Sequence, residues 1–169
     1  MSETALLAVV EAAEPLVGPW RARYDETAPL GVPAHVSVLV PFLDAERIDA
    51  QVSADLAGII AGYRSFTVRF TECRRFPEVV YLAPTPDEPF RALTESLVAR
   101  WPECPPYGGQ FAEIIPHLTV AHGQPAEVLD QVDAAVSASL PVTAVVSAVS
   151  LFVNDDGRWC RTIDFPLAT

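Results

Sequence analysis

The chain has 169 residues, half of them apolar, and its 11 basic and 22 acidic residues give a net charge of −11. This composition is typical of a globular domain and excludes a disordered chain. The acidic balance argues against a long nucleic acid or an anionic membrane as a partner, because both need clustered positive charge. A small anionic substrate, held by a few local donors, remains compatible with it.

Every basic residue is an arginine, so the chain has no lysine. That excludes a lysyl Schiff base, a lysine adenylate and the phosphate-binding loop that requires a Gly-Lys pair. Cys73, Cys104 and Cys160 form no Cys-x-x-Cys pair and indicate reduced thiols rather than disulfides or a zinc site. The longest apolar stretch falls short of a membrane span. We therefore expect a soluble, cytoplasmic protein.

The first half of the chain is predicted to contain a strand, a helix, a strand, a helix and a hairpin. These elements are expected at 4–10, 11–24, 35–40, 44–62, and 65–76 with 79–83. Pro29, Gly31 and Pro33 indicate a loop before the second strand. Asp44 is the expected N-cap of the second helix.

The second half is predicted to contain a helix, a strand, a helix and a closing hairpin. These elements are expected at 85–100, 114–121, 126–140, and 141–153 with 158–165. A strand, a helix and a hairpin thus follow one another in both halves, first from His35 and again from His117. We therefore expect an α+β fold with an internal duplication, in which residues 1–169 form one domain of two similar lobes.

Two of the three histidines stand in matching contexts: the chain reads His-Val-Ser-Val from His35 and His-Leu-Thr-Val from His117. Residues i and i+2 of a strand point to one face about 6.6 Å apart, so each motif places an imidazole beside Ser37 or Thr119. A histidine at a strand start is often only a polar residue at a sheet end. The repetition favours a shared function. His122 lies five residues after His117, which predicts the opposite strand face and a structural or rim role.

Two imidazoles beside two hydroxyls are suited to displacement at phosphorus. With an ordinary pKa near 6.5, one histidine can be neutral and act as a general base while the other is protonated and acts as a general acid. The hydroxyls of Ser37 and Thr119 can donate to the phosphoryl oxygens, where negative charge grows in the transition state. This chemistry needs no metal.

Two His-x-Ser/Thr-x motifs about 80 residues apart, in a duplicated β-α-β arrangement, resemble the 2H phosphoesterase superfamily, which includes the 2′-5′ RNA ligase-like proteins. The similarity covers most of the chain and is carried by residues 6–10, 33–42 and 115–121. The Pro-Phe pair that follows the first motif and the Arg-x-Arg-Tyr-Asp run at 21–25 resemble the bacterial branch of this superfamily.

The resemblance implies a two-lobed, pseudo-twofold α+β fold with antiparallel sheets forming a central cleft and helices packed outside. It implies that His35 and His117 are catalytic, that Ser37 and Thr119 bind the substrate phosphate, and that no metal or cofactor takes part. The implied reaction is hydrolysis of a cyclic (2′,3′-type) or 2′-5′ phosphodiester. The partner is then a small nucleotide or short RNA, with no long nucleic acid and no membrane, and we expect a monomer.

Two other interpretations remain. A non-catalytic module of the same fold would bind a nucleotide or phosphate without turning it over, although binding alone needs neither an acid nor a base. A metal site built from the three histidines is disfavoured by the spacing of His117 and His122 and by the lack of a carboxylate beside either motif. Arg21, Arg23, Arg74 and Arg75 could assist phosphate binding, but ion pairs are their more common role.

Overall fold

The computed structural model describes residues 2–169, which form eight strands and four helices. The strands are β1 (Thr4–Val9), β2 (His35–Leu39), β3 (Phe66–Phe76), β4 (Val79–Thr85), β5 (Leu118–His122), β6 (Val142–Val146), β7 (Ala148–Asp155) and β8 (Arg158–Pro166). The helices are α1 (Glu14–Tyr24), α2 (Ala50–Ala61), α3 (Glu88–Arg100) and α4 (Ala126–Ser137). None of these helices is long and apolar enough to cross a membrane.

The strands form two antiparallel sheets of four. The first sheet has the order β2-β1-β7-β8 and the second the order β5-β4-β3-β6. The two motif-bearing strands, β2 and β5, are therefore equivalent edge strands, and they lie against each other. The expected α+β fold of two lobes around a cleft is confirmed.

The two lobes exchange elements. The β3–β4 hairpin, which follows β2 and α2, pairs with β5 and β6, whereas the β7–β8 hairpin returns to pair with β1. Helices cross over in the same way, because α1 packs against β5 and α3 packs against β2. A continuous core joins both sheets and includes the fully buried side chains of Leu6, Val36, Val68, Leu82 and Val149.

The predicted second helix differs in its start and in its N-cap. The expected helix at 44–62 is a short 3₁₀ turn over Ala45–Arg47 followed by α2, and its N-cap is Asp49 rather than Asp44. The Asp49 carboxylate accepts a hydrogen bond from the backbone N–H of Val52 at 2.9 Å, which satisfies one of the free donors at the helix start. The Asp44 side chain makes no such bond.

The expected strand at 141–153 is in fact two strands in different sheets. β6 pairs with β3 in the second sheet, and β7 pairs with β1 in the first sheet. Ser147 is the only residue between the two strands. An unbroken apolar stretch does not reveal this change of partner. The strand expected at 114–121 also begins later, at Leu118, so His117 immediately precedes it.

Candidate functional site

His35 opens β2 because the preceding segment is held on both sides. The backbone N–H of Ala34 donates to the Glu14 carboxylate at 2.5 Å, and the Ala34 carbonyl accepts from Val10 N–H at 2.9 Å. Within the strand Val36 and Val38 are buried, while His35 and Ser37 are partly exposed on the other face. The predicted alternation is confirmed for this motif.

The second motif repeats this arrangement at β5. Leu118 and Val120 are fully buried, whereas His117 and Thr119 are partly exposed. Thr119 lies opposite Tyr81 in the register with β4. The two motifs therefore present the same side-chain types from equivalent edge strands.

Both imidazoles are anchored through the same nitrogen. The Nδ1 of His35 lies 2.8 Å from the Pro33 carbonyl oxygen, and the Nδ1 of His117 lies 2.7 Å from the Ile115 carbonyl oxygen. A carbonyl can only accept, so each Nδ1 carries a proton and donates it. In the neutral ring this assigns the lone pair to Nε2, which is the atom available to a substrate.

The four predicted site residues line one cleft of about 270 Å³ between the edge strands. Its walls are formed by Ala5, Leu7, Asp25, Glu26, Thr27, Val32, His35, Ser37, Val40, Tyr107, His117, Thr119, His122 and Trp159. No arginine is among these residues, so histidines are the only wall side chains that can become cationic. That wall suits a singly charged phosphodiester better than a polyanion.

Burial lowers the basicity of both imidazoles. The pKa of His35 is lowered to about 4, mainly because burial removes the ring from water. The Arg21 guanidinium and His117 contribute to this lowering, whereas the hydrogen bond to Pro33 and the Asp25 carboxylate oppose it. Burial likewise lowers the pKa of His117, opposed by its hydrogen bond to Ile115. Both shifts favour the neutral form of the imidazole at pH 7.

Aromatic side chains enclose His117. Phe76 and Tyr81 meet its ring edge-on, with centroids 5.2 and 5.5 Å away, and Tyr107 stacks against it with a centroid separation of 6.4 Å. Burial raises the pKa of the Tyr107 phenol, and the nearby Ser37 side chain opposes this shift. Tyr107 thus links the two motifs across the cleft.

The loop that carries Tyr107 is held in place by its backbone. The Tyr107 N–H donates to the Val40 carbonyl at 2.6 Å, immediately after β2, and its φ of 52° is the left-handed conformation of a tight turn. The contact of this Pro- and Gly-rich segment with β2 is a tertiary feature. A Tyr between Pro and Gly gives no signal for that contact.

Other wall residues come from segments without a recognisable motif. Asp25, Glu26 and Thr27 follow α1, and Asp25 is buried and paired with the buried Arg21. Trp159 lies on β8, and its place in the sheet is set by the pairing of β8 with β7, where it lies opposite Asn154. Of these residues, only Asp25 belongs to a run that the sequence singled out.

His122 lies on the cleft side and not on the opposite strand face. Tyr81 pairs with Thr119 and Val80 pairs with Ala121, so Val120 is an extra residue in the ladder, a β-bulge. One extra residue reverses the alternation beyond it, so Ala121 is buried and His122 lines the cleft. The expectation of a rim residue is consistent with its exposed side chain.

Three of the four singled-out arginines form ion pairs. Arg21 pairs with Asp25 at 3.1 Å, Arg74 with Glu72 at 2.5 Å, and Arg75 with Asp130 and Asp133. Arg23 makes no ion pair within residues 2–169. Over the same range, no group of three or more His, Cys, Asp or Glu side chains is placed to hold a metal ion.

The sequence of residues 9–158 matches the family model of the 2′-5′ RNA ligase superfamily. The chain belongs to this family. Its expected kinship with the 2H phosphoesterases is thereby confirmed. The comparison with curated proteins gave no match.

Solved structures agree on the fold. Escherichia coli LigT complexed with 3′-AMP superposes with a TM-score of 0.62 at 13% identity, over 99% of both chains. LigT complexed with NADP+ gives 0.61 at 16% identity, over 99% of this chain and 98% of that one. A Thermus thermophilus protein, TT0787, gives 0.58 at 15% identity, over 97% of both.

Proposed function

We propose that this 2H phosphoesterase is a metal-independent phosphodiesterase that opens a cyclic (2′,3′-type) or 2′-5′ phosphodiester of a small nucleotide or short RNA. One observation carries the proposal. His35 and His117 reach a common cleft from equivalent edge strands, each with Nδ1 anchored to a carbonyl and each with a hydroxyl two residues further on.

The reaction divides between the two imidazoles. Nε2 of one histidine removes a proton from water as the water oxygen bonds to phosphorus. The bond from phosphorus to the leaving sugar oxygen breaks, and the other histidine donates its Nε2 proton to that oxygen. Water is added across one P–O bond, and proton exchange with solvent restores both rings. Ser37 and Thr119 donate hydrogen bonds to the non-bridging oxygens.

The electrostatics favour His35 as the base and His117 as the acid. With a pKa of about 4 and the Arg21 cation nearby, His35 stays neutral over most of the pH range. His117 lacks such a cationic neighbour, and burial is what lowers its pKa. A bound phosphodiester anion beside His117 stabilises the imidazolium and raises the pKa toward the value that an acid needs.

The relatives support a nucleotide as substrate. LigT has been crystallised with 3′-AMP, with ATP and with NADP+, each of which carries a nucleoside joined to phosphate. The cleft wall has no arginine, and the chain carries a net charge of −11. Both features favour a substrate of one or two nucleotides over a long RNA.

The deciding experiment is turnover of a panel of 2′,3′-cyclic nucleoside monophosphates and 2′-5′ dinucleotides with EDTA present. His35→Ala and His117→Ala are each expected to lower kcat by roughly 10²–10⁴-fold, because each removes one proton-transfer group. Arg69→Ala, an exposed substitution outside the cleft, is the control and keeps the wild-type rate.

Two results would overturn the proposal. Loss of activity with EDTA would point to a metal-dependent reaction. Binding of the nucleotides without turnover, unchanged in both histidine variants, would instead favour the non-catalytic binding module.

A further inference from the structure

A second groove, of about 370 Å³, adjoins the cleft between the C-terminal end of α1 and the turn after β5. It shares Asp25, Glu26 and His122 with the cleft, so the two spaces lie side by side. The bulge at Val120 creates this junction, because without it His122 would point to the core side of β5.

The groove has a balanced set of polar groups and an aromatic ring. The Arg23 guanidinium lies over the Tyr24 ring, 5.1 Å from its centroid, and forms no ion pair within residues 2–169. Glu26 supplies the opposite charge, and the Gln124 amide, which donates to the His122 carbonyl at 3.1 Å, supplies a further donor and acceptor. The charges of Arg23 and Glu26 cancel, and the Asp25 carboxylate, which also lines the groove, is paired with the buried Arg21.

A neutral nucleoside fits these groups better than a phosphate. Because Trp20 and Arg23 both lie against the Tyr24 ring, the base would stack on the Arg23 guanidinium and present its polar edges to the amide of Gln124. The ribose hydroxyls can donate to Glu26. A phosphate here would meet the Glu26 carboxylate and gain only one cation.

We propose that this groove holds the leaving nucleoside of a dinucleoside monophosphate whose phosphodiester lies between His35 and His117. The proposal rests on the proposed function and extends it: the substrate carries one phosphate and two nucleosides, and the second nucleoside is bound between α1 and β5. A 2′,3′-cyclic mononucleotide lacks that second nucleoside and leaves the groove free.

The test compares two substrates of the same enzyme, 2′-5′-linked adenylyl adenosine and 2′,3′-cyclic AMP. Ala22→Trp fills the groove from the exposed face of α1, and Arg23→Gln removes its cation; neither residue lines the cleft. Each substitution should lower kcat/KM for the dinucleoside about 10-fold or more, since stacking of one base contributes that much. Ala99→Trp, exposed on α3 and outside both spaces, is the matched control.

With 2′,3′-cyclic AMP, both groove variants should stay within about twofold of the wild type. Equal losses on both substrates, or no loss on either, would overturn the subsite. So would turnover of the cyclic nucleotide without turnover of the dinucleoside, a result that leaves the proposed function intact. Turnover of neither substrate would overturn the proposed function itself, and with it the subsite.

Discussion

A single backbone carbonyl beside each histidine decides what the imidazole can do. Because the carbonyls of Pro33 and Ile115 each accept a hydrogen bond from Nδ1, Nε2 is the ring atom left to contact a substrate, and the rings cannot rotate freely. The same local rule, a carbonyl two residues before the histidine, operates in both motifs. Two short segments thus present matched imidazoles without a carboxylate partner, as the proposed proton transfer requires.

The pH dependence follows from the lowered pKa values. His35 must be neutral to act as a base, so kcat/KM should rise through pH values near 4. His117 must be protonated to act as an acid, and its pKa lies below the usual 6.5, so kcat/KM should fall again before that pH is reached. We expect a bell-shaped profile with its maximum on the acidic side of 6.5. The profile is measured from initial rates at constant ionic strength with a phosphodiester substrate, which stays a monoanion over the whole pH range.

Other profiles would contradict this assignment. A maximum above pH 7 would show that the free enzyme does not hold both imidazoles at lowered pKa. A rate that stays constant from pH 5 to 9 would remove the two histidines from proton transfer altogether.

At the scale of elements, hydrogen bonds from the end of α1 and from the loop after it hold the segment before β2 in place. Arg21 is 2% exposed and donates to the Val32 carbonyl at 2.9 Å and to Thr27, while pairing with Asp25. Asp25 in turn accepts from the Thr27 N–H and hydroxyl. The pair therefore ties the helix end to the segment that precedes His35.

Loss of this pair should destabilise the fold. Arg21→Met leaves the Asp25 carboxylate buried without its cation, which costs about 3–5 kcal/mol of unfolding free energy. Arg23→Met, two residues further along on the exposed side of α1, should change it by no more than about 0.5 kcal/mol. Urea unfolding monitored by circular dichroism measures the change in unfolding free energy for both variants. A cost below about 1 kcal/mol for Arg21→Met would mean that the pair contributes specificity rather than stability.

The elements that could be predicted are those set by local pattern. Burial of Val36 and Val38 follows from simple alternation, and so the first motif could be assigned to a cleft face from sequence. The bulge at Val120 depends on the register with β4, and the change of sheet at Ser147 depends on the distant partners of β6 and β7. No local pattern encodes these contacts, which is why the position of His122 was predicted wrongly.

At the scale of the whole molecule, each lobe depends on strands that the chain supplies from the other half. β7 pairs with β1, Leu6 opposite Leu151, although the preceding strand β6 lies in the other sheet and only Ser147 separates the two. The continuous core buries side chains from both sheets. Neither sheet can unfold without exposing the apolar surface of the other, because one core covers both.

The whole chain should therefore unfold as one cooperative unit, as a single domain requires. Circular dichroism and tryptophan fluorescence in urea should give the same midpoint. Leu6→Ala in the first sheet and Leu82→Ala in the second are matched core truncations, each expected to cost about 2–5 kcal/mol. Because the two sheets share one core, each variant should shift the midpoint of both probes by the same amount. Two separate transitions, with Leu6→Ala moving one and Leu82→Ala moving the other, would show that the lobes are independent domains.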